Sequence, residues 1–377
     1  MKIALLGHGT VGRGVDNIIA HHVPQVEVKR ILELPKFCTE PRMTPNFDDI
    51  VNDPEIELVV ECMGGLEPAH TFICRAMDAG KSVVTSNKAV VAEFFAEFAQ
   101  KSVSNNVGFF LEASVGGGIP WIASIAKVRR IDEVSSFSGI MNGTTNYIID
   151  SMAKEDLDFD VALGRAQELG YAERDPSADI DGIDVRNKTI ISASVAFDVA
   201  CTKDLPVTGI RTMTKQDMIM FNQNGRQVKL LGRGVQRDGR YAVAVEPVAL
   251  SAHSMEAAVP SNFNLVSLEG TTIGDLKFYG QGAGSLSTGN AIVQDVIDCA
   301  NGIRPQFDFS RGLKYDPTLL TSSYVFRTTA EGPSDATLYG RGAWVVPHLT
   351  AVEARALFED VLKQDPTAFM AALSRED

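Results

Sequence analysis

The chain has 377 residues, 45% of them hydrophobic and 22% charged, with a formal net charge of −13. That composition excludes disorder, collagen and coiled coil, and the acidic balance excludes a broad nucleic-acid surface, which needs a basic stripe to displace counterions. At roughly 150 residues per domain, the length predicts two or three domains. No apolar run reaches the ~18 residues of a membrane span, and the N-terminus lacks the pattern of a signal peptide. The five cysteines (Cys38, Cys62, Cys74, Cys201, Cys299) are scattered and lack CxxC spacing. They read as reduced thiols of a cytoplasmic protein, not as a disulfide frame or a zinc site.

In chain order, Lys2 to Leu6 reads as a buried parallel strand that runs into Gly7-His8-Gly9-Thr10-Val11-Gly12 and then a helix to about Ala20. Predicted strands at Val26–Leu32, Glu57–Glu61, Ser82–Thr85 and Gly108–Glu112 alternate with helices at Thr71–Ala79 and Ala89–Gln100. This alternation is that of an α/β, Rossmann-type domain with a parallel sheet, over about residues 1–130. The texture then changes. Asp160 is read as the N-cap of a helix running to Leu169 and closed by Gly170, and a second helix is expected from near Asp181 to about Asp198. Short strands follow at Gln227–Val235, Tyr241–Leu250, Phe263–Glu269 and Leu276–Tyr279, so residues 131–285 are expected to form an α+β domain. Gly282-Ala283-Gly284 leads into a helix at about 288–300 that completes the first domain. Residues 310–377 are expected to be a short tail with one helix, Ala351–Lys363.

A G-x-G-x-x-G string carries weight only between a strand and a helix, and here it has that context. Gly7 permits the tight turn, Gly9 lets the backbone approach a pyrophosphate, and Gly12 lets helix and strand pack. The amides around Thr10 and Val11 would face the phosphates. Glu33, at the end of the second strand, would bond a ribose 2′-OH and repel a 2′-phosphate. Arg30 and Lys36 flank it and would do the opposite, and a solvated loop position is a further reading.

The middle of the chain is more specific. It reads Val59-Val60-Glu61-Cys62-Met63-Gly64-Gly65-Leu66-Glu67-Pro68-Ala69, then Gly80-Lys81-Ser82-Val83-Val84-Thr85-Ser86-Asn87-Lys88-Ala89, then Leu111-Glu112-Ala113-Ser114-Val115-Gly116-Gly117-Gly118-Ile119-Pro120. Gly139-Ile140-Met141-Asn142-Gly143-Thr144-Thr145-Asn146-Tyr147-Ile148 and Leu169-Gly170-Tyr171-Ala172-Glu173-Arg174-Asp175-Pro176 come next, with Asp184 and Lys188 beyond. In this order, over about residues 1–310, the strings resemble the homoserine dehydrogenases. The resemblance implies interconversion of L-homoserine and L-aspartate 4-semialdehyde with NAD(P), on the route to threonine and methionine, by a homodimer joined through its second domain. It makes Lys188 the acid–base residue, Asp184 and Glu173 substrate contacts, and Lys88 a group facing substrate and cofactor. It also places Gly170 and Gly284 at the cofactor, beside Gly7, Gly9, Thr10, Val11, Gly12 and Ser86, while Glu33 departs from the basic residue that many members carry at the end of the second strand. A monovalent cation, sodium by type, would sit on oxygens of Glu112, Val115, Gly117 and Ile119.

The residues support a reading of their own. Asp184 and Lys188, four apart on a helix, meet side by side. A surface ion pair would lie opposite the apolar arc of Ile183, Ile190, Ile191, Val195 and Phe197, whereas Asp184 falls inside that arc and Lys188 at its edge. A half-buried carboxylate beside a half-buried ammonium suits proton transfer. Glu173, Asp175, Asp179 and Asp181 form an acidic loop, either solvated or suited to a substrate ammonium. The run Gly116-Gly117-Gly118 is expected to leave carbonyls exposed and flexible, as a hard cation would require. The tail contains Ser323-Tyr324-Val325-Phe326-Arg327-Thr328 and Ala343-Trp344-Val345-Val346, which look like parts of a truncated ACT module. Two competing functions are a catalytically silent NAD(P) sensor and a semialdehyde dehydrogenase with a thioester-forming cysteine. The first would not need to keep the Asp184–Lys188 pair, and the second needs a low-pKa thiol that none of the five cysteines has the neighbours to supply.

Overall fold

A computed structural model describes residues 1–332 and 336–374. In chain order the elements are β1 (Lys2–Leu6), α1 (Thr10–His22), β2 (Glu27–Leu32), β3 (Met43–Thr44), α2 (Asp48–Val51), β4 (Ile56–Glu61), α3 (Ala69–Asp78), β5 (Ser82–Thr85), α4 (Lys88–Ser104), β6 (Phe109–Phe110) and α5 (Trp121–Val128). The chain continues with β7 (Val134–Ile140), α6 (Gly143–Glu155), α7 (Phe159–Glu168), α8 (Ser177–Ile180), α9 (Ile183–Phe197), α10 (Lys215–Gln223), β8 (Arg226–Arg237), β9 (Arg240–Ser251), β10 (Phe263–Gly270), β11 (Gly274–Gln281) and α11 (Ser285–Ala300). It ends with β12 (Lys314–Tyr315), β13 (Thr321–Arg327), β14 (Thr337–Gly340), β15 (Ala343–Thr350), α12 (Ala351–Gln364) and β16 (Phe369–Leu373). Among the described residues no helix is long and apolar enough to cross a membrane.

Two compact units result. One holds residues 1–127, 198–201 and 281–311, the other 128–197, 202–280 and 312–377. In the first, six parallel strands lie in the order β3-β2-β1-β4-β5-β6. β1 and β4 are buried on both faces, which explains their unbroken apolar runs. Ile3, Leu5, Val60 and Val84 pack with Val15 and Ile19 of α1 and with Ile292 and Val296 of α11. The return of α11 is thus part of this core. A methyl on Gly14 of α1 would lie 2.8 Å from the Ser285 carbonyl, so the two helices approach through their backbones.

In the second unit, ten strands form one mixed sheet, with β7, β8, β9 and β10 antiparallel at its centre. The final stretch, expected as a short tail, contributes five strands to that sheet, β12 to β16. β16 pairs in parallel with β9, and β13 with β16 and β15. Tyr324, Phe326, Phe358 and Met370 share one core with Leu231 and Val248. Local helix boundaries also differ from the expected ones. Asp158, not Asp160, holds the N-cap position of α7, and Asp160 falls in its first turn, where a carboxylate still favours the helix dipole. α9 begins at Ile183 instead of Asp181, because α8 is a separate turn closed by Gly182 at φ +82°. α11 starts three residues early, at Ser285.

Lys229 of β8 is fully enclosed, donating to Asn146 Oδ1 at 2.8 Å and the Val259 carbonyl at 2.7 Å. Burial pulls its ammonium down to about 8. Below that pH both folded and unfolded chains carry the proton. Between about 8 and 10.5 the unfolded chain holds more protons, so this group makes stability rise with pH. The shift corresponds to roughly 3 kcal/mol. Urea midpoints of wild type and Lys229→Met, measured at pH 7 and pH 9.5, should therefore diverge in favour of the wild type at the higher pH. A difference independent of pH would show that the amine is not desolvated.

Candidate active site

The candidate cofactor residues lie at the carboxyl ends of β1, β4 and β5. Gly7 adopts φ +91° as β1 turns into α1, and its amide donates to the Leu32 carbonyl at 3.0 Å. Gly12 packs so tightly beneath it that a Cβ there would lie 2.2 Å from the Gly7 carbonyl oxygen. Beside Gly9, by contrast, an added Cβ would meet nothing within 4 Å, and Gly9 caps α1 without any side-chain bond. The first amides of α1, around Thr10 and Val11, thus lie at an uncapped helix N-terminus beside open space, as a pyrophosphate requires. The Ser285 hydroxyl donates to the Thr10 carbonyl at 2.8 Å, which brings Gly284 (φ +137°), the N-cap of α11, to the same rim.

Glu33 is tied to this loop. Its carboxylate accepts from the His8 amide at 2.9 Å and the Leu34 amide at 3.0 Å. The flanking basic groups are engaged elsewhere, Arg30 with the Pro41 carbonyl and Lys36 over the Phe37 ring. Of the three readings left open for Glu33, the simple solvated loop position does not hold. Arg42, which pairs with Asp16 and Glu40, and the His8–Asp16 contact complete a network that spacing along the chain did not reveal.

Ser86 and Lys88 follow β5, with Lys88 half-buried as the first residue of α4. The turn that leads to them is held by a residue to which the sequence assigns no role. Glu61, wholly buried at the end of β4, accepts from the Thr85 hydroxyl at 2.6 Å and the Met63 amide at 2.7 Å. Burial pushes its carboxyl above the ordinary range. Asn87 caps α4 through Val90 and donates to the Gly65 carbonyl at 2.7 Å. The available signal was an acid ending an otherwise apolar strand. Next to it, Cys62 has its thiol pushed far up by burial and by the Glu61 charge, which disfavours the thiolate a nucleophile needs.

The Glu112–Ile119 segment corrects an expectation. Of the run Gly116-Gly117-Gly118, expected to be exposed, Gly116 and Gly117 are buried and Gly118 is exposed, and a Cβ on Gly117 (φ +61°) would lie 2.5 Å from the Gly282 backbone. Much of the glycine run therefore serves a close backbone approach. The Glu112 carboxylate accepts from the amides of Ile122 and Ala123 at 3.0 and 2.7 Å, at the start of α5. Its own amide donates to Asp295 at 3.1 Å. Burial, and for Asp295 the neighbouring Glu112 charge, raise both carboxyls, Glu112 to about 7.

The second unit holds the remaining candidate residues. α9 is buried along almost its whole length, with Ile183 an exposed exception. Asp184 and Lys188 are therefore interior because the helix is enclosed, not because one apolar face selects them. Lys188 Nζ donates to Asp184 Oδ2 at 2.8 Å and to the Met141 carbonyl at 2.6 Å. The Asn142 side-chain amide donates to Asp184 at 2.9 Å and to Asp179 at 2.7 Å, while its oxygen caps α6 through Thr145. Asn142 stood in a quoted motif without a role, and only the fold brings it 42 residues along the chain to Asp184. The acidic loop does not act as one cluster. Asp175 accepts from the Ser177 amide, Asp181 pairs with Arg211, and Asp179 turns to Asn142. Glu173 stands exposed. Gly170 (φ +75°) ends α7, and the following Tyr171 carbonyl accepts from Thr144 at 2.6 Å.

Comparison with known proteins agrees with these two halves. A family model described as "Homoserine dehydrogenase, NAD binding domain" matches residues 7–112, and one described as "Homoserine dehydrogenase" matches residues 120–297. The homoserine dehydrogenase of Bacillus subtilis is 34% identical over 81% of this chain and 74% of its own length. That of Synechocystis is 39% identical over 79% of this chain and 73% of its own. Among solved structures, a homoserine dehydrogenase from Thiobacillus denitrificans superposes with a TM-score of 0.86 at 28% identity, covering 99% of this chain and 98% of that one. A hyperthermophilic archaeal homoserine dehydrogenase in complex with NADPH matches with a TM-score of 0.71 at 25% identity, covering 81% and 99%. With both family models matched in sequence order and relatives above 30% identity over most of its length, the chain belongs to the homoserine dehydrogenase family of NAD(P)-dependent oxidoreductases.

Proposed function

We propose that Lys188 moves the proton in the interconversion of L-aspartate 4-semialdehyde and L-homoserine, and that Asp184 and Asn142 hold it in place. The observation that carries this reading is the buried Lys188–Asp184 pair at 2.8 Å, with Met141 as the second acceptor. Bound NAD(P) supplies or takes up the hydride at the carbon that bears oxygen. As that carbon becomes tetrahedral, charge gathers on the oxygen, and the Lys188 ammonium both stabilises it and donates the proton. In the reverse direction the neutral amine takes the hydroxyl proton of homoserine. Glu173 receives the substrate ammonium, and Lys88 faces substrate and cofactor. Gly7, Gly9, Thr10, Val11, Gly12, Ser86, Gly170 and Gly284 line the cofactor. Oxidation of reduced cofactor by aspartate semialdehyde, without any phosphate requirement, tests the activity. A phosphate requirement would indicate thioester chemistry instead.

The cofactor preference follows from Glu33. Held by the His8 amide, its carboxylate stands beside the glycine loop, where it binds a ribose diol and repels a 2′-phosphate. NAD(H) should be used at least as well as NADP(H), although the archaeal relative was crystallised with NADPH. The ratio of kcat/KM for the two cofactors, in wild type and Glu33→Ala, checks this. A wild-type preference for NADP(H) of about a hundredfold, close to 3 kcal/mol, would contradict it.

We further propose a monovalent cation, sodium by type, on oxygens of Glu112, Val115, Gly117 and Ile119. The support is the pair of carboxyl groups, Glu112 and Asp295, buried together beside this segment, whose ionised forms a bound cation would stabilise. Its role would be to brace this segment. The melting temperature should rise in sodium relative to a bulky organic cation at equal ionic strength, and equal values would remove the proposal. The same reading places the enzyme in the cytoplasm, as a homodimer joined through its second unit, on the route to threonine and methionine.

A further inference from the structure

Within the first unit, away from the glycine loop, one group of side chains has no place in the mechanism. His70 and Cys74 stand one turn apart on α3, and Glu97 reaches them from α4. One donor atom from each lies within 4.8 Å of the other two. His70 Nε2 is 2.9 Å from Glu97 Oε2 and 3.6 Å from Cys74 Sγ, and Cys74 Sγ is 3.5 Å from Glu97 Oε1. The other ring nitrogen, Nδ1, contacts Glu67 Oε1 at 3.1 Å. The imidazole is fixed between this carboxylate and the rings of Phe94 and Phe98, whose centroids lie 4.1 and 5.7 Å away.

We infer that His70, Cys74 and Glu97 form a binding site for a zinc-class divalent cation. Zinc bonds of about 2.0–2.3 Å to nitrogen, oxygen and sulfur set tetrahedral ligand separations of about 3.3–3.6 Å. Both sulfur separations already fall there, and the histidine–carboxylate pair needs to open by only a few tenths of an ångström. The donor set of thiolate, imidazole and carboxylate favours zinc or cobalt over magnesium or calcium, which take oxygen ligands. A carboxylate on the far nitrogen of a metal-binding histidine selects the tautomer that presents Nε2, and Glu67 supplies it. The cysteine is buried while Glu97 is exposed, so a fourth, water position is open on the solvent side. Binding releases the thiol proton to solvent and ties α3 to α4. Counting cysteines for CxxC spacing misses such a site, because two ligands are a helical turn apart and the third comes from the next helix.

The test uses the full chain, stripped of metal. Cobalt(II) should bind one equivalent and give a thiolate-to-metal charge-transfer band, and zinc should compete it away and raise the melting temperature. Cys74→Ser should abolish the band, and Glu97→Gln, at an exposed position, should weaken binding without loss of fold. Glu67→Gln should weaken it by about 10–100-fold. Absence of a stoichiometric site, or a band that survives Cys74→Ser and so belongs to another cysteine, would overturn the inference. A melting temperature that zinc leaves unchanged would overturn the bracing role.

Discussion

Lys188→Ala should lose roughly 10²–10⁴-fold in kcat, the usual contribution of a positioned acid–base group. The loss has two physical parts. The oxygen of the semialdehyde no longer meets an ammonium as charge develops on it, and no group delivers its proton. The substitution also leaves Asp184 buried with Asn142 as its remaining named donor, and breaking a buried pair costs about 3–5 kcal/mol of stability. Activity must therefore be compared in protein shown to be folded and to bind cofactor. Lys188→Arg separates the two effects. It keeps a cation beside Asp184, so the melting temperature should recover, but guanidinium does not cycle its proton and kcat should stay low. If Lys188→Ala retained more than about a tenth of wild-type kcat, the assignment would fail and Lys88 would be the next donor to examine.

Gly9→Ala and Gly12→Ala should fail in different ways. At Gly9 a methyl meets nothing in the protein, and φ is negative (−74°), so no left-handed conformation stands against alanine. The melting temperature should hold while the KM for cofactor rises, since the methyl occupies the space where the pyrophosphate approaches the backbone. Overpacking of about 1–3 kcal/mol corresponds to a rise of roughly 5–150-fold. At Gly12 the methyl would lie 2.2 Å from a main-chain oxygen, with no flexible side chain to yield. There the cost falls on the fold itself, and the melting temperature should drop by several degrees before any cofactor is added. Equal thermal losses in the two variants, or an unchanged cofactor KM in Gly9→Ala, would mean that the loop is not the cradle described.

The sequence by itself determined those features that depend on near neighbours. An apolar run, a glycine spacing and a helical repeat act over a few residues. So β1, the G-x-G-x-x-G turn, the parallel sheet and the adjacency of Asp184 and Lys188 were all legible, as was the family through its ordered motifs. The tertiary structure decided what depends on groups far apart in the chain. Asn142 reaches Asp184, Glu61 reaches Thr85, and Glu112 reaches Ile122 and Asp295 only after the strands and helices pack. It also decided why α9 is interior, since burial on nearly every side cannot be read from the phase of one helix. Residues 310–377 look like a tail in the sequence because the pairing that joins their strands to the rest of the sheet is not local. They become sheet when β9 supplies hydrogen-bond partners more than 120 residues upstream, as in the pairing of Ala372 with Val248.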